Sequence, residues 1–94
     1  MLVQKTYTQN DIISFKLISG EEIVAKLVSE TADSFQISKP LTAVLGQQGV
    51  GFVQAFLTAE PTSVELLKSN CIMHSKSVEE VKKYYISTTS GIIL

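Results

Sequence analysis

The chain has few side chains that could carry out catalysis, and their spacing does not favour it. Cys71 is the only cysteine and His74 the only histidine. An odd separation on a strand puts two side chains on opposite faces, so we expect neither a metal pair nor a thiolate activated by an imidazole. The sequence contains no Ser-His-Asp spacing, paired carboxylates or phosphate-binding glycine loop. It therefore predicts a protein that is not an enzyme and needs no metal or other cofactor.

The charged residues also exclude a strong general attraction to nucleic acid or to anionic membranes. The formal net charge is -1, and all eight basic residues are lysines. Without arginine the chain lacks the planar group that binds phosphate bidentately and stacks on bases. The densest positive patch, Lys76 with Lys82 and Lys83, is balanced by Glu79 and Glu80, which favours a solvated helix face over a binding site.

Length and composition indicate one soluble domain over residues 1–94. Apolar residues make up 45% of the chain, more than one small core hides, which suggests self-association. The single cysteine fits a reducing compartment. Residues 1–5 lack a signal-peptide pattern, and no apolar run is long enough to cross a membrane. We therefore expect a cytoplasmic protein without a membrane partner.

Alternating apolar residues predict a run of bent antiparallel strands between about residues 12 and 75. Residues 22–30 carry apolar side chains on both faces, so this strand is predicted to be central or sharply curved. Pro40 cannot donate to a strand ladder and predicts a break or bulge. The predicted strands cover residues 12–18, 22–30, 35–38 continuing over 41–45, 51–58, and a fifth within 64–75.

A single helix is predicted to follow, over about residues 77–90. Ser77-Val78-Glu79-Glu80 has the pattern of a capping box, in which Ser77 and Glu80 cap the first turn reciprocally. Val78, Val81 and Tyr85, with Tyr84 as a further candidate, form its apolar stripe. The apolar residues Ile92, Ile93 and Leu94 after it could dock on the sheet or on a neighbour.

The passage Lys-Leu-Ile-Ser-Gly-Glu-Glu-Ile-Val-Ala-Lys-Leu, from Lys16 to Leu27, resembles the first sequence motif of Sm-like proteins. The resemblance extends over about residues 12–75. The helix followed by Thr-Thr-Ser-Gly-Ile, residues 88–92, is similar to phage-encoded Sm-like proteins of cyanophages and other marine phages. The resemblance implies a mainly β, five-stranded, strongly bent antiparallel sheet forming a small open barrel, with a C-terminal helix.

The resemblance also implies a homo-oligomeric ring of five to seven subunits, in which the fourth strand of one subunit pairs with the fifth strand of the next. The sequence supports this independently, because a strand over residues 51–58 without lysine or glutamate would aggregate if its edge stayed uncovered. The alternative is that this strand is central within one subunit. The expected interface residues are Phe52, Val53, Phe56, Leu57, Cys71, Ile72 and Met73.

Finally, the resemblance places contacts to single-stranded RNA at two segments. Ser34, Gln36, Ser69 and Asn70 would contact base edges, and Lys68 would contact phosphate. The match is degenerate, because Asp33-Ser34 stands where the family often has a base-reading asparagine, and Lys68-Ser69-Asn70 only partly matches the second motif. Turn chemistry also explains Asp33, Ser34 and Asn70. A structural or protein-interaction ring with a decayed RNA site is therefore the alternative.

Overall fold

A computed structural model of the chain describes residues 7–90 and consists mainly of β-strands, with one helix after them. A 3-10 turn, Lys68–Asn70, separates the last two strands. The strands are β1 (Ile12–Leu17), β2 (Glu22–Glu30), β3 (Ser34–Gly46), β4 (Gly49–Gln54), β5 (Val64–Leu67) and β6 (Cys71–Lys76), and the helix is α1 (Glu79–Thr89). The predicted β class and the C-terminal helix are confirmed.

The strands form one open antiparallel sheet in the order β4-β3-β2-β1-β6, with β5 also paired to β3. The central position predicted for residues 22–30 is confirmed. The prediction of five strands is wrong, because the 3-10 turn divides the fifth strand predicted within residues 64–75 into β5, which pairs with the first part of β3, and β6, which pairs with β1. As β4 ends the strand order, the alternative of a central fourth strand is also wrong.

The bulge predicted at Pro40 is present and bends β3. Val24 pairs with Leu41 and Lys26 with Ser38, so Lys39 and Pro40 together lie opposite Ala25. Lys39 adopts a φ of 53°, an uncommon conformation for a residue with a side chain. The extra residue lets the first half of β3 pair with β5 and the second half with β4.

The two faces of β2 contribute to two separate apolar clusters, as its pattern predicts. On one face, Ala25 and Leu27 join a cluster with Ile13, Phe15 and other side chains that are almost fully buried. On the other face, Val24 packs with Ile12 and with Tyr85 of α1. The helix thus covers a sheet face that would otherwise expose apolar side chains.

The helix begins differently from the prediction. Val78 occupies the N-cap position, no side chain caps the first turn, and Ser77 instead shares a 2.7 Å hydrogen bond with Ser14 of β1. The predicted capping box is therefore wrong, because the serine hydroxyl ties the helix entry to the sheet. In the predicted stripe, Tyr85 is buried and Val81 packs against the second cluster, whereas Val78 and Tyr84 are exposed.

Tyr85 gives the stability of the fold a specific pH dependence. Burial raises the pKa of Tyr85 from 10.0 to about 12, so its hydroxyl keeps its proton longer in the folded chain than in the unfolded one. This contribution to stability is complete below pH 10 and is lost as the pH rises towards 12. We expect the free energy of unfolding to fall more steeply over this range in the wild type than in Tyr85→Phe.

Urea unfolding at a series of pH values measures this slope, and the near-ultraviolet absorbance of tyrosinate reports the ionisation. Tyr84→Phe is the matched control, since it removes the same hydroxyl group from an exposed tyrosine directly next to Tyr85. Equal slopes in the wild type and Tyr85→Phe would contradict the prediction.

Candidate functional site

The turn between β2 and β3 is held together by one threonine hydroxyl. Thr31 Oγ1 accepts hydrogen bonds from the backbone N–H groups of Ser34 at 3.0 Å and Asp33 at 3.3 Å. It also shares a 3.1 Å hydrogen bond with Ser34 Oγ, and Ser34 is only 4% exposed. Ser34 therefore closes the turn in this structure, while Asp33 presents its side chain to solvent.

The 3-10 turn lies directly against this turn. The backbone N–H of Lys68 donates to the carbonyl of Asp33 at 2.9 Å, and the N–H of Ile18 donates to the carbonyl of Asn70 at 2.8 Å. Ser69 and Asn70 are exposed there. The two segments named from the sequence thus meet in space, although they are separated by more than thirty residues of chain. Gln36 lies further along β3, half-buried and paired with Glu65.

The Lys68 side chain is paired within the chain. Its Nζ atom lies 2.8 Å from Oε2 of Glu30, and the Glu30 side chain is only 6% exposed. The same Nζ atom lies 5.0 Å from the ring centre of Phe35, a favourable position for a cation above an aromatic face. The charge of Lys68 is therefore largely balanced before any phosphate could approach it. Glu30 Oε1 is buried and has no hydrogen-bond partner among the described residues.

Phe35, the ring under Lys68 Nζ, packs with three further aromatic rings, those of Tyr7, Phe15 and His74. The His74 ring packs edge-on against Phe35 and Tyr7, with ring centres 5.0 Å and 5.6 Å apart. The ring centres of Phe15 and Phe35 are 5.1 Å apart. His74 Nδ1 and the Tyr7 hydroxyl form a 2.7 Å hydrogen bond. Burial, with a smaller contribution from Glu30, raises the pKa of Tyr7. The Phe35 ring is fully buried in this cluster, as the strand pattern indicated.

The prediction that Cys71 and His74 lie on opposite faces is wrong. Lys16 pairs with Met73 but Leu17 pairs with Cys71, so Ile72 is an extra residue that forms a bulge in β6. The bulge turns Cys71 and His74 towards the same apolar cluster. Burial raises the pKa of the Cys71 thiol. Within residues 7–90, no group of three histidine, cysteine, aspartate or glutamate side chains could hold a metal ion.

The predicted interface residues fall into two groups. Phe52 and Cys71 are half-buried within the chain: Phe52 stacks on Tyr84 with ring centres 4.9 Å apart, and Cys71 packs against the larger cluster. Phe52 of β4 therefore already has an aromatic partner in α1 of the same chain. The other five are exposed near the two ends of the sheet, at fractions from 51% to 80%: Val53, Phe56, Leu57, Ile72 and Met73.

Sequence reasoning missed Glu30 and Tyr7. In the sequence, Glu30 is only the polar last residue of a predicted strand. Tyr7 lies in a polar segment with no periodic pattern. No local signal connects either residue with its partner, because Lys68 and His74 lie far away in the chain. The only sequence features that single them out are the position of Glu30 at a strand end and the aromatic ring of Tyr7 among polar residues.

The sequence of this chain matches no protein-family model and no curated protein. Among the described residues, no helix has the length and apolar character needed to cross a membrane.

Proposed function

We propose that this chain is a subunit of a homo-oligomeric, non-enzymatic ring of the phage-encoded Sm-like type. The observation that carries the proposal is that, within residues 7–90, the sheet has two unpaired edges, β6 at one end and β4 with β5 at the other. Exposed apolar side chains lie beside both, including Ile72 and Val53. Two different edges that pair head to tail generate a closed ring when the rotation between subunits closes. The family resemblance gives five to seven subunits.

We further propose that the ring binds single-stranded RNA at the junction of the β2–β3 turn and the 3-10 turn. Support comes from the Lys68 N–H to Asp33 carbonyl hydrogen bond, which joins the two segments named by the resemblance. Exposed Ser69 and Asn70 offer a hydroxyl and an amide for unpaired base edges. Repeated around a ring, such sites would form a track for one RNA strand. Modulation of host or phage transcripts is the biological role we propose.

The second candidate function is a protein-interaction ring without RNA. The observation that favours it is the pairing of Lys68 with buried Glu30, which leaves the junction without a free cation from Lys68. The exposed Asp33 carboxylate would also repel phosphate. The chain contains no arginine that could compensate.

An RNA-binding measurement distinguishes the two functions. Fluorescent A-rich and U-rich RNA oligomers are titrated with the purified protein, which is first freed of nucleic acid and kept in low salt. Low salt matters because phosphate contacts weaken steeply as salt rises. We expect binding by the wild type and a loss of about tenfold in affinity in Asn70→Ala, the order of one lost hydrogen bond to a base. Ser87→Ala, an exposed change on α1, is the control and should bind as the wild type.

A ring that binds neither oligomer would exclude the RNA function and favour the protein-interaction ring. If RNA binds but Asn70→Ala and Ser87→Ala behave alike, RNA is bound elsewhere on the ring. The proposed site would then be wrong while RNA binding would stand.

A further inference from the structure

A cavity lies between the tip of the β3–β4 hairpin and the middle of α1. It is lined by Val44, by the residues of the tip, 46–51, and by Tyr84 of the helix. Its volume, about 560 Å³, lies within the range of sites that hold small ligands, roughly 300–1,000 Å³. Gln47 and Gln48 are both exposed at the tip. The cavity therefore brings two amide side chains close to one aromatic residue.

The ring of Tyr84 is oriented by an aromatic stack. It lies on the Phe52 ring of β4, with ring centres 4.9 Å apart and an angle of 19° between the planes. Phe52 in turn packs edge-on against buried Tyr85, with ring centres 6.2 Å apart. Tyr84 is still 45% exposed, so its open surface is the face and edge turned away from Phe52. A ring fixed in this way loses little freedom when a ligand stacks on it.

The hairpin presents no charge to a ligand. None of the residues from Pro40 to Ala59 is acidic or basic. At the turn, Gly49 takes a φ of 112°, which glycine adopts readily, and it has no side chain that could block access to the backbone. A neutral, planar group that hydrogen-bonds to amides suits this surface better than a phosphate or a carboxylate does.

We propose that this cavity holds an unpaired nucleobase stacked on Tyr84, supplied either by an RNA strand or by a free nucleoside. Unpaired bases stack on aromatic side chains and form hydrogen bonds along their edges. A glutamine amide has two donors and an acceptor, so Gln47 and Gln48 match such an edge. For an RNA strand, the inference rests on the RNA binding proposed above. It adds a second contact at the other end of β3 from the turn that begins at Thr31.

The affinities of Tyr84 variants test the stacking. The wild type, Tyr84→Leu and Tyr84→Phe are titrated with the A-rich and U-rich oligomers and, separately, with adenosine and uridine. Stacking of one base on an aromatic ring contributes about tenfold or more to affinity. We expect Tyr84→Leu to bind about tenfold more weakly, and Tyr84→Phe, which keeps the ring, to bind as the wild type. Phe56→Leu is the matched control, because it removes an exposed aromatic ring outside this cavity.

A photochemical crosslink tests the same contact in the unaltered protein. An oligomer that carries thiouridine is irradiated with the wild type, and the product is digested with trypsin. Cleavage after Lys83 releases a peptide that begins at Tyr84. We expect the added mass of the nucleotide on this peptide or on the peptide that contains Gln47 and Gln48.

The outcomes separate this inference from the proposed function. Weaker binding in Tyr84→Leu alone, together with the crosslink, supports the nucleobase site. Equal binding by all variants, or equal losses in Tyr84→Leu and Phe56→Leu, would overturn it while RNA binding would stand. Nucleoside binding that depends on Tyr84, without any oligomer binding, supports the cavity and excludes the RNA function. Binding of neither ligand would overturn both, and a change in oligomer mass in Tyr84→Leu with unchanged affinity would overturn the site in favour of a contact between subunits.

Discussion

Replacement of Ile72 by lysine should convert the proposed ring into monomers. Ile72 is 57% exposed and forms the bulge of β6, the strand at one end of the sheet. If β6 pairs with the next subunit, the substitution places an ammonium group in an apolar interface. Burying such a charge costs several kcal/mol, and about 3 kcal/mol for each interface weakens association roughly a hundredfold.

Size-exclusion chromatography with light scattering measures the mass of both proteins. Ile86→Lys is the matched control, because Ile86 is 46% exposed on the helix and the change is chemically identical. Lysine is tolerated in a helix, so this control should keep the oligomer. A wild type that is monomeric at the same concentration would refute the ring itself. An oligomer that survives Ile72→Lys would show that β6 is not at the interface.

The outer strand β4 was only partly predictable from the composition of residues 51–58. The absence of lysine and glutamate from residues 51–58 predicted an edge in need of cover, and β4 does end the strand order. Phe56 and Leu57, however, follow the strand instead of continuing it. Composition identified an exposed apolar segment, but it could not tell strand from irregular chain, because aromatic and aliphatic residues occur in both.

The features predicted correctly are those that depend on residues close together in the sequence. The two-sided apolar pattern of residues 22–30 identified the central strand, and Pro40 identified the bulge because a residue without an N–H interrupts a ladder. Gly20 takes a φ of 96° in the turn between β1 and β2, a conformation that glycine adopts readily.

The features that the sequence did not predict depend on contacts between residues far apart in the chain. Ser77 has the sequence spacing of a capping residue, yet its hydroxyl forms a hydrogen bond with Ser14 of β1 instead. Cys71 and His74 would point apart on a regular strand, and only the bulge at Ile72 brings them to one face. A bulge without proline or glycine leaves no clear mark in the sequence.

Loss of Lys68 is expected to have a large effect on stability, since it leaves a carboxylate buried without its partner. In Lys68→Met, the Glu30 carboxyl group loses its partner in a position where its side chain is only 6% exposed. Removing one member of such a buried pair typically costs about 3 kcal/mol. Glu30→Gln combined with Lys68→Met removes both charges and should recover part of that loss. Equilibrium unfolding in urea at one fixed protein concentration measures all of these variants.

Another ion pair among the described residues, between Lys76 and Asp11, provides the control. Lys76 Nζ lies 3.8 Å from Oδ2 of Asp11, and the Lys76 side chain is 64% exposed. Exposed pairs contribute about 1 kcal/mol or less, so Lys76→Met should change stability little. Equal losses in Lys68→Met and Lys76→Met would mean that burial of Glu30 does not govern the energy of its pair.

The Lys68 variants also bear on the two proposed functions. Lys68 joins the end of β2 to the 3-10 turn that carries Ser69 and Asn70, so its loss should disturb the junction even if Lys68 never touches RNA. The double variant separates these roles, because it removes the cation while relieving the buried charge. If the folded double variant binds RNA as the wild type does, Lys68 contacts no phosphate, and any loss of binding in Lys68→Met comes from the unpaired Glu30 carboxylate. A lasting loss of affinity that becomes smaller as salt rises would instead indicate that Lys68 contacts phosphate in spite of Glu30.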